Sequence, residues 1–372
     1  MKSSSFIFAC FLLILSSAHA KYMDNHSCAE CHEKIVDEFQ HSAHSWGYFK
    51  DSLHRKIADK ISTKKYDCAP CHMPAADNLK AIVTGKARPD PNNTTHTDAV
   101  SCYFCHTIAY VKKAHRFNVN VMAHQADNYK PTLYGRLNGP DHNDKHSSVT
   151  NPIYAKKVCT GCHSHKLNEN NVTIFHAMEE GQTSESCIRC HMPEVAGGSE
   201  KMDRRSRGHH ASHRFLGIHD EAFRKKGLDI NVTAGGKHLK VLLRNKMDHP
   251  LIIQSARAKF LHIVLSRGQK ILWQNYEKDP REDKQGYFGY HFKKDGKPIM
   301  IPYHSTEGFV HNLGARKRRT LEYTIPALNK GDRIVVTYYV QLAKTDCAKA
   351  VDLTGSPLTH PEVITKVEWT AQ

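Results

Sequence analysis

The chain has 372 residues, 53 Lys and Arg against 37 Asp and Glu, and a formal charge of +16. Its length and its charged fraction of 24% exclude a single small module and an acidic disordered chain. Hydrophobic residues make up only 40%, while His reaches 28 and Cys 12, so something besides side chains is expected to fill part of the core.

In chain order, residues 1–20 read as an export signal. Lys2 is the charged start, Phe6 to Leu15 the apolar stretch, and Ala18-His19-Ala20 the cleavage site, with the mature chain starting at Lys21. Ten apolar residues are too few to span a bilayer, which takes about 20. A lipid-anchor signal ending at Cys10 is the weaker rival. A periplasmic location without a transmembrane segment is expected. Exported Cys-rich chains are ordinarily disulfide frameworks.

The Cys spacing points elsewhere. Cys28-Ala-Glu-Cys31-His32, Cys68-Ala-Pro-Cys71-His72, Cys102-Tyr-Phe-Cys105-His106, Cys159-Thr-Gly-Cys162-His163 and Cys187-Ile-Arg-Cys190-His191 all spell C-x-x-C-H. Chance gives far fewer than one such unit. Two thiols three positions apart reach the two vinyl groups of a haem, and the trailing His becomes the proximal iron ligand. Zinc would need a fourth ligand in each unit, and a redox dithiol needs one C-x-x-C and no His. The expectation is five covalent c-type haems on Cys28, Cys31, Cys68, Cys71, Cys102, Cys105, Cys159, Cys162, Cys187 and Cys190. Their proximal ligands are then His32, His72, His106, His163 and His191. Residues 21–221 should form this haem domain, α and irregular, with little regular secondary structure.

Each iron has a sixth position, and surplus His between 21 and 220 can supply it. Here the chain resembles the multihaem cytochrome c-552/554 group. Phe39-Gln-His-Ser42-Ala-His44 after the first motif resembles the group's W-x-x-S-x-H, which implies His44 as a distal ligand. Tyr134-Gly135 and Gly139-Pro140 with His146 resemble its Y-G…G-P…H, implying His146, with His142 close by. Cys68 to Pro74 and Cys187 to Pro193 share the ending C-x-x-C-H-M-P. His213-Arg-Phe-Leu-Gly217-Ile-His219 resembles H-x-F-x-G-x-H, implying His213. His54 and His115 are assigned to the other two irons, with His96, His26 and His124 as alternates. No C-x-x-C-K motif exists, so the Lys-ligated catalytic haem of pentahaem nitrite reductases has no counterpart.

After about residue 222 the texture changes to runs with β-propensity. These are Leu239 to Leu243, Phe260 to Leu265, Lys270 to Trp273, Pro298 to Tyr303, Leu321 to Ile325 and Ile334 to Leu342. Turns are expected at Arg267-Gly268, Lys294-Asp-Gly296 and Lys330-Gly-Asp332. An all-β, sandwich-like domain over 222–345 and a tail over 346–372 follow. Leu243-Arg-Asn245 with Asp248-His249-Pro250 resembles the group's V-x-N-x-x-x-G-H-x-x-P, Asp248 replacing Gly. His249 is read first as a hydrogen-bonded loop residue and second as an iron ligand across the domain interface. Cys347 is left without a partner and is expected to be buried. The basic runs Arg204-Arg205-Ser-Arg207 and Arg316 to Arg319 are read as largely solvated, some pairing with haem propionates or steering an acidic partner.

The preferred reading is an electron carrier with mostly bis-His haems. It would pass single electrons from a membrane quinol-oxidising partner to a terminal reductase; nucleic acid is not expected as a partner. The alternative is an enzyme with one open-site haem acting on a small nitrogen or sulfur oxyanion.

Overall fold

A computed structural model describes residues 22–61, 65–123, 130–140, 143–178, 184–198 and 207–372. The expected export signal, His124, His142, Arg204 and Arg205 lie outside these residues.

Regular structure in the first part is short, and it is built around the motifs. The helix Asn25–Gln40 starts where the Asp24 side chain accepts from the Ser27 N–H at 2.6 Å. It buries Val36 and Phe39 and breaks from helical geometry at His32. Helices Gly47–Lys50 and Ser52–Ile61 follow, then the single turns Ala69–His72 and Cys102–His106. A later helix, Ser184–His191, carries the fifth motif. The first eight strands form four two-stranded sheets: β1 (Ile108–Lys112) with β2 (Val119–Met122), β3 (Thr132–Gly135) with β4 (Ser147–Thr150), β5 (His165–Leu167) with β6 (Thr173–His176), and β7 (Glu194–Ala196) with β8 (His209–Ala211). No single sheet organises the described residues of this region.

Gly47 is a tight point. Its φ is +49°, and a Cβ there would stand 2.6 Å from Ala99 Cβ and 2.9 Å from the His72 carbonyl oxygen. A side chain in left-handed backbone costs about 1–2 kcal/mol before any clash. Gly47→Ala is expected to destabilise the protein by at least that much and to push His72 aside. A thermal melt followed at the haem absorption band checks this, and an unchanged midpoint would refute it.

The C-terminal part is a two-sheet β-domain. Its strands are β9 (Leu228–Gly235), β10 (His238–Asn245), β11 (Ala258–Arg267), β12 (Lys270–Gln274), β13 (Tyr287–Lys294), β14 (Lys297–Ile299), β15 (Glu307–His311), β16 (Arg318–Thr324), β17 (Arg333–Gln341) and β18 (Glu362–Thr370). One sheet has the order β16-β10-β9; the other runs β14-β13-β11-β17-β18, with β12 on β11 and β15 on β13. Alternate residues Leu239, Val241 and Leu243 of β10 meet Leu261, Ile263 and Leu265 of β11 and Val336 of β17 in one core. The expected turns carry the positive-φ residues Gly268, Asp295, Gly296 and Gly331.

Three expectations change. The tail over 346–372 is no tail: β18 pairs with β17 along its length. Its charges, Glu362, Lys366 and Glu368, hid an edge strand, where charge on the solvent side is normal. Pro298 to Tyr303 splits into the short β14 and a 3₁₀ turn at Pro302–His304. Strands β9, β13 and β15 lay in runs too polar or too Gly-broken to stand out.

The two parts share contacts. Leu53 and Ile57 of Ser52–Ile61 pack with Ala256, Ala343, Ala348, Val351 and the buried Cys347. Cys347 is therefore enclosed at 1% exposure and is not offered to another molecule. Asn168 donates to the Pro302 and Ser305 carbonyls at 2.9 Å.

Candidate functional site

A C-x-x-C unit coiled into one turn puts its thiols on one side, three residues apart. The motifs adopt such turns, and none of the ten motif Cys is in a disulfide. Two pairs of motifs meet thiol to thiol, Cys28 with Cys102 and Cys71 with Cys162. Asn25 ties the first couple further, its side chain accepting from the Cys102 N–H at 2.9 Å. Asn120 donates to Cys162 Sγ at 3.4 Å in the second.

Four of the five motif His face a second imidazole across a narrow gap. His32 stacks opposite His146 with ring centroids 6.3 Å apart, His106 opposite His213 at 6.3 Å, and His191 opposite His249 at 6.3 Å. His163 faces His44 at 5.8 Å with the rings tilted by 54°. A metal–imidazole bond of about 2 Å, with each centroid roughly 1.1 Å behind its nitrogen, places two rings on opposite sides of one ion at roughly 6.3 Å. The gaps therefore fit an iron held from both sides.

The protonation states fit as well. A ligand imidazole must be neutral and must offer one free nitrogen. Burial pushes His44 and His213 down to about 3 and His249 to about 4, and it also lowers His106, His146 and His163. Backbone carbonyls take the Nδ1 protons. His106 donates to Tyr134 O at 2.7 Å, His191 to Leu216 O at 2.5 Å, His213 to Ala211 O at 2.8 Å and His249 to Pro250 O at 2.8 Å. That fixes the tautomer and leaves Nε2 the unprotonated nitrogen a metal would take. At His146 the Nε2 is approached by Asn143 Nδ2 at 3.3 Å, a long contact at an exposed edge.

Local sequence explains how the rings arrive. Ser42 Oγ donates to Phe39 O at 2.7 Å and Ser45 Oγ to Ser42 O at 2.8 Å, turning the chain after the first helix so that His44 points inward. Phe215 has a positive φ of 46° and places its ring against both His44 and His213. Glu38 accepts from the His213 N–H at 2.7 Å and lies 3.3 Å from His210 Nε2. Asn245, 1% exposed, donates to the carbonyls of His249, Leu313 and Gly314 and accepts from the Met247 N–H. It fully satisfies itself while shaping the His249 loop.

The second motif differs. His54 lies only 4.7 Å from His72, centroid to centroid. Its Nδ1 donates to Asp51 Oδ2 at 2.5 Å, and its Nε2 accepts from the Gln254 amide at 2.5 Å. Ligand atoms of Asp51, His54 and His72 lie within 4.8 Å of one another. His219 stands nearby, its ring 4.7 Å from Trp46.

His115 is brought to none of the motif His. It is exposed, and its Nε2 hydrogen-bonds Asn171 Oδ1 at 3.0 Å. The ring facing His191 is that of His249. The hydrogen bond expected of His249 exists, but it uses only Nδ1, and the Asn245-to-Pro250 pattern was the signal that marked the other nitrogen. Among the alternates, His96 is buried between Asp90 N–H and Asn78, and His26 is exposed. Of the basic runs, Arg316 pairs with Asp248 at 2.7 Å and Arg319 donates to His311 and Asn312, so both are structural. No helix among the described residues is long and apolar enough to cross a membrane.

Comparisons with known proteins agree with this geometry. Residues 27–107 match the family model of cytochrome c554 and c-prime. The fold is similar to the crystal structure of a penta-heme cytochrome c552 from Thermochromatium tepidum, with a TM-score of 0.75 and 21% identity, covering 94% of this chain and 99% of that one. No curated protein matches the chain. The family match and the shared fold support the resemblance to the multihaem cytochrome c-552/554 group. With the motifs, the family match supports covalently bound c-type haem and a haem-based redox role.

Proposed function

We propose that the protein is a periplasmic pentahaem c-type cytochrome that carries single electrons between a membrane quinol-oxidising partner and a terminal reductase. The observation that carries this reading is the set of facing His pairs at 5.8 to 6.3 Å. The ten motif Cys hold the haems, and His32, His72, His106, His163 and His191 are the proximal ligands. His146, His213, His44 and His249 are the distal ligands of the first, third, fourth and fifth haems. Two strong axial imidazoles on an iron exclude substrate and favour electron transfer at low potential. The side-by-side motif couples, first with third and second with fourth, support haems packed closely enough to exchange electrons. His54, 4.7 Å from His72 here, is the second haem's distal ligand once the two rings part to admit the iron.

One observation favours a second reading. His54 is too close to His72 to leave room for an iron between them, and its Nε2 is taken by Gln254. If that arrangement persists with haem bound, the second haem keeps an open face beside Asp51 and His54, an acid–base couple suited to a small nitrogen or sulfur oxyanion. Electron paramagnetic resonance of the oxidised holoprotein separates the two. Five low-spin ferric signals are expected for the carrier. A high-spin signal that changes on adding nitrite or sulfite, with turnover, would overturn it in favour of the reductase.

A further inference from the structure

Lys259 is a buried cation without a counter-ion. It lies on β11, is 9% exposed, and has Ala258 and Phe260 buried on either side. Its ammonium has three N–H donors. One goes to the Leu251 carbonyl at 2.9 Å, and no carboxylate of the described residues pairs with it. Burial, with the neighbouring Arg257, pushes it down to about 7. Arg257, just before β11, is half-buried, with Asp51 as its nearby acid.

The location gives the missing anion a chemistry. Leu251 is two residues beyond His249, and Lys259 is close enough to His249 to lower its basicity. Lys259 therefore lies behind the loop whose imidazole faces His191, at the border between the β-domain and the fifth motif. A buried ammonium with donors to spare is complemented by a carboxylate, through a charge-assisted hydrogen bond. Each haem brings two propionates.

We propose that Lys259 binds a propionate carboxylate of the haem attached through Cys187 and Cys190, so that the β-domain sets that haem's potential. This rests on reading the fifth motif as a haem site. The ammonium offsets negative charge beside the iron, which disfavours the ferric state and raises the potential; removing it lowers the potential.

Redox potentiometry of holoprotein carrying Lys259→Gln tests this. Gln keeps a donor for the Leu251 carbonyl and removes only the charge; Lys259→Met is the second variant. One of the five one-electron midpoints is expected to fall by a tenfold or greater change in the oxidised-to-reduced ratio, about 59 mV for one electron. Lys259→Arg should keep it in place. Five midpoints that stay within twofold, in a variant still holding five haems by pyridine haemochrome assay, overturn the assignment. A haem-free Cys187–Cys190 peptide by mass spectrometry of the unsubstituted protein would instead overturn the haem reading beneath it.

Discussion

Replacing His249 by Ala is expected to convert one low-spin ferric haem to high-spin while all five haems stay attached. The thioether links depend on Cys187 and Cys190, not on the distal ring. The His249 loop keeps its shape because Asn245 holds the His249, Leu313 and Gly314 carbonyls with its side-chain amide. What goes is the imidazole that stands 6.3 Å from His191. Electron paramagnetic resonance should then gain a high-spin ferric signal, and added imidazole should abolish it by filling the vacated position. His115→Ala, at an exposed surface position, should leave the spectrum unchanged. The reverse pattern, in which His115→Ala alters a haem and His249→Ala does not, would sink the assignment.

Leu261→Ala should be the most damaging single change in the β-domain. Leu261 is fully buried in β11, the strand flanked by β13 and β17 at the centre of the larger sheet. Truncating a buried Leu costs about 3 kcal/mol, the lost transfer free energy plus the cavity left behind. The loss should show as a lowered midpoint in denaturant. It should also reach the haems, because the β-domain carries His249: during unfolding of the variant, the spectral change of one haem should come before that of the other four. A single coincident transition for all five haems would show that the β-domain and the haem region unfold as one unit.

The candidate site was legible wherever chemistry is local. Five C-x-x-C-H units need only their own residues, because two thiols and a His within one turn meet the same macrocycle. The short segments around His44, His146 and His213 were readable because they resemble motifs of the multihaem cytochrome c-552/554 group; in the structure Ser42 and Ser45 turn the chain on either side of His44. The β-domain was legible from strand runs and turn glycines, and its charged edge strand β18 was missed because edge strands lack a continuous apolar signature.

His249 and His115 mark the limit. Both lie in polar, loop-like stretches; the Asn245-to-Pro250 pattern marks His249 as part of a shaped loop but does not say which motif His it reaches. Only the packing of the β-domain against the haem region carries His249 to His191, while the β5–β6 segment supplies Asn171 to hold His115 at the surface. The unusual closeness of His54 to His72 is likewise tertiary, since Gln254 of the C-terminal part occupies the His54 nitrogen. By itself the sequence determined where the five C-x-x-C-H units lie and which imidazole follows each thiol pair, because those residues are neighbours along the chain. Which imidazole completes each site was decided by the tertiary structure, because the second ring comes from a distant segment whose position depends on the packing of everything between.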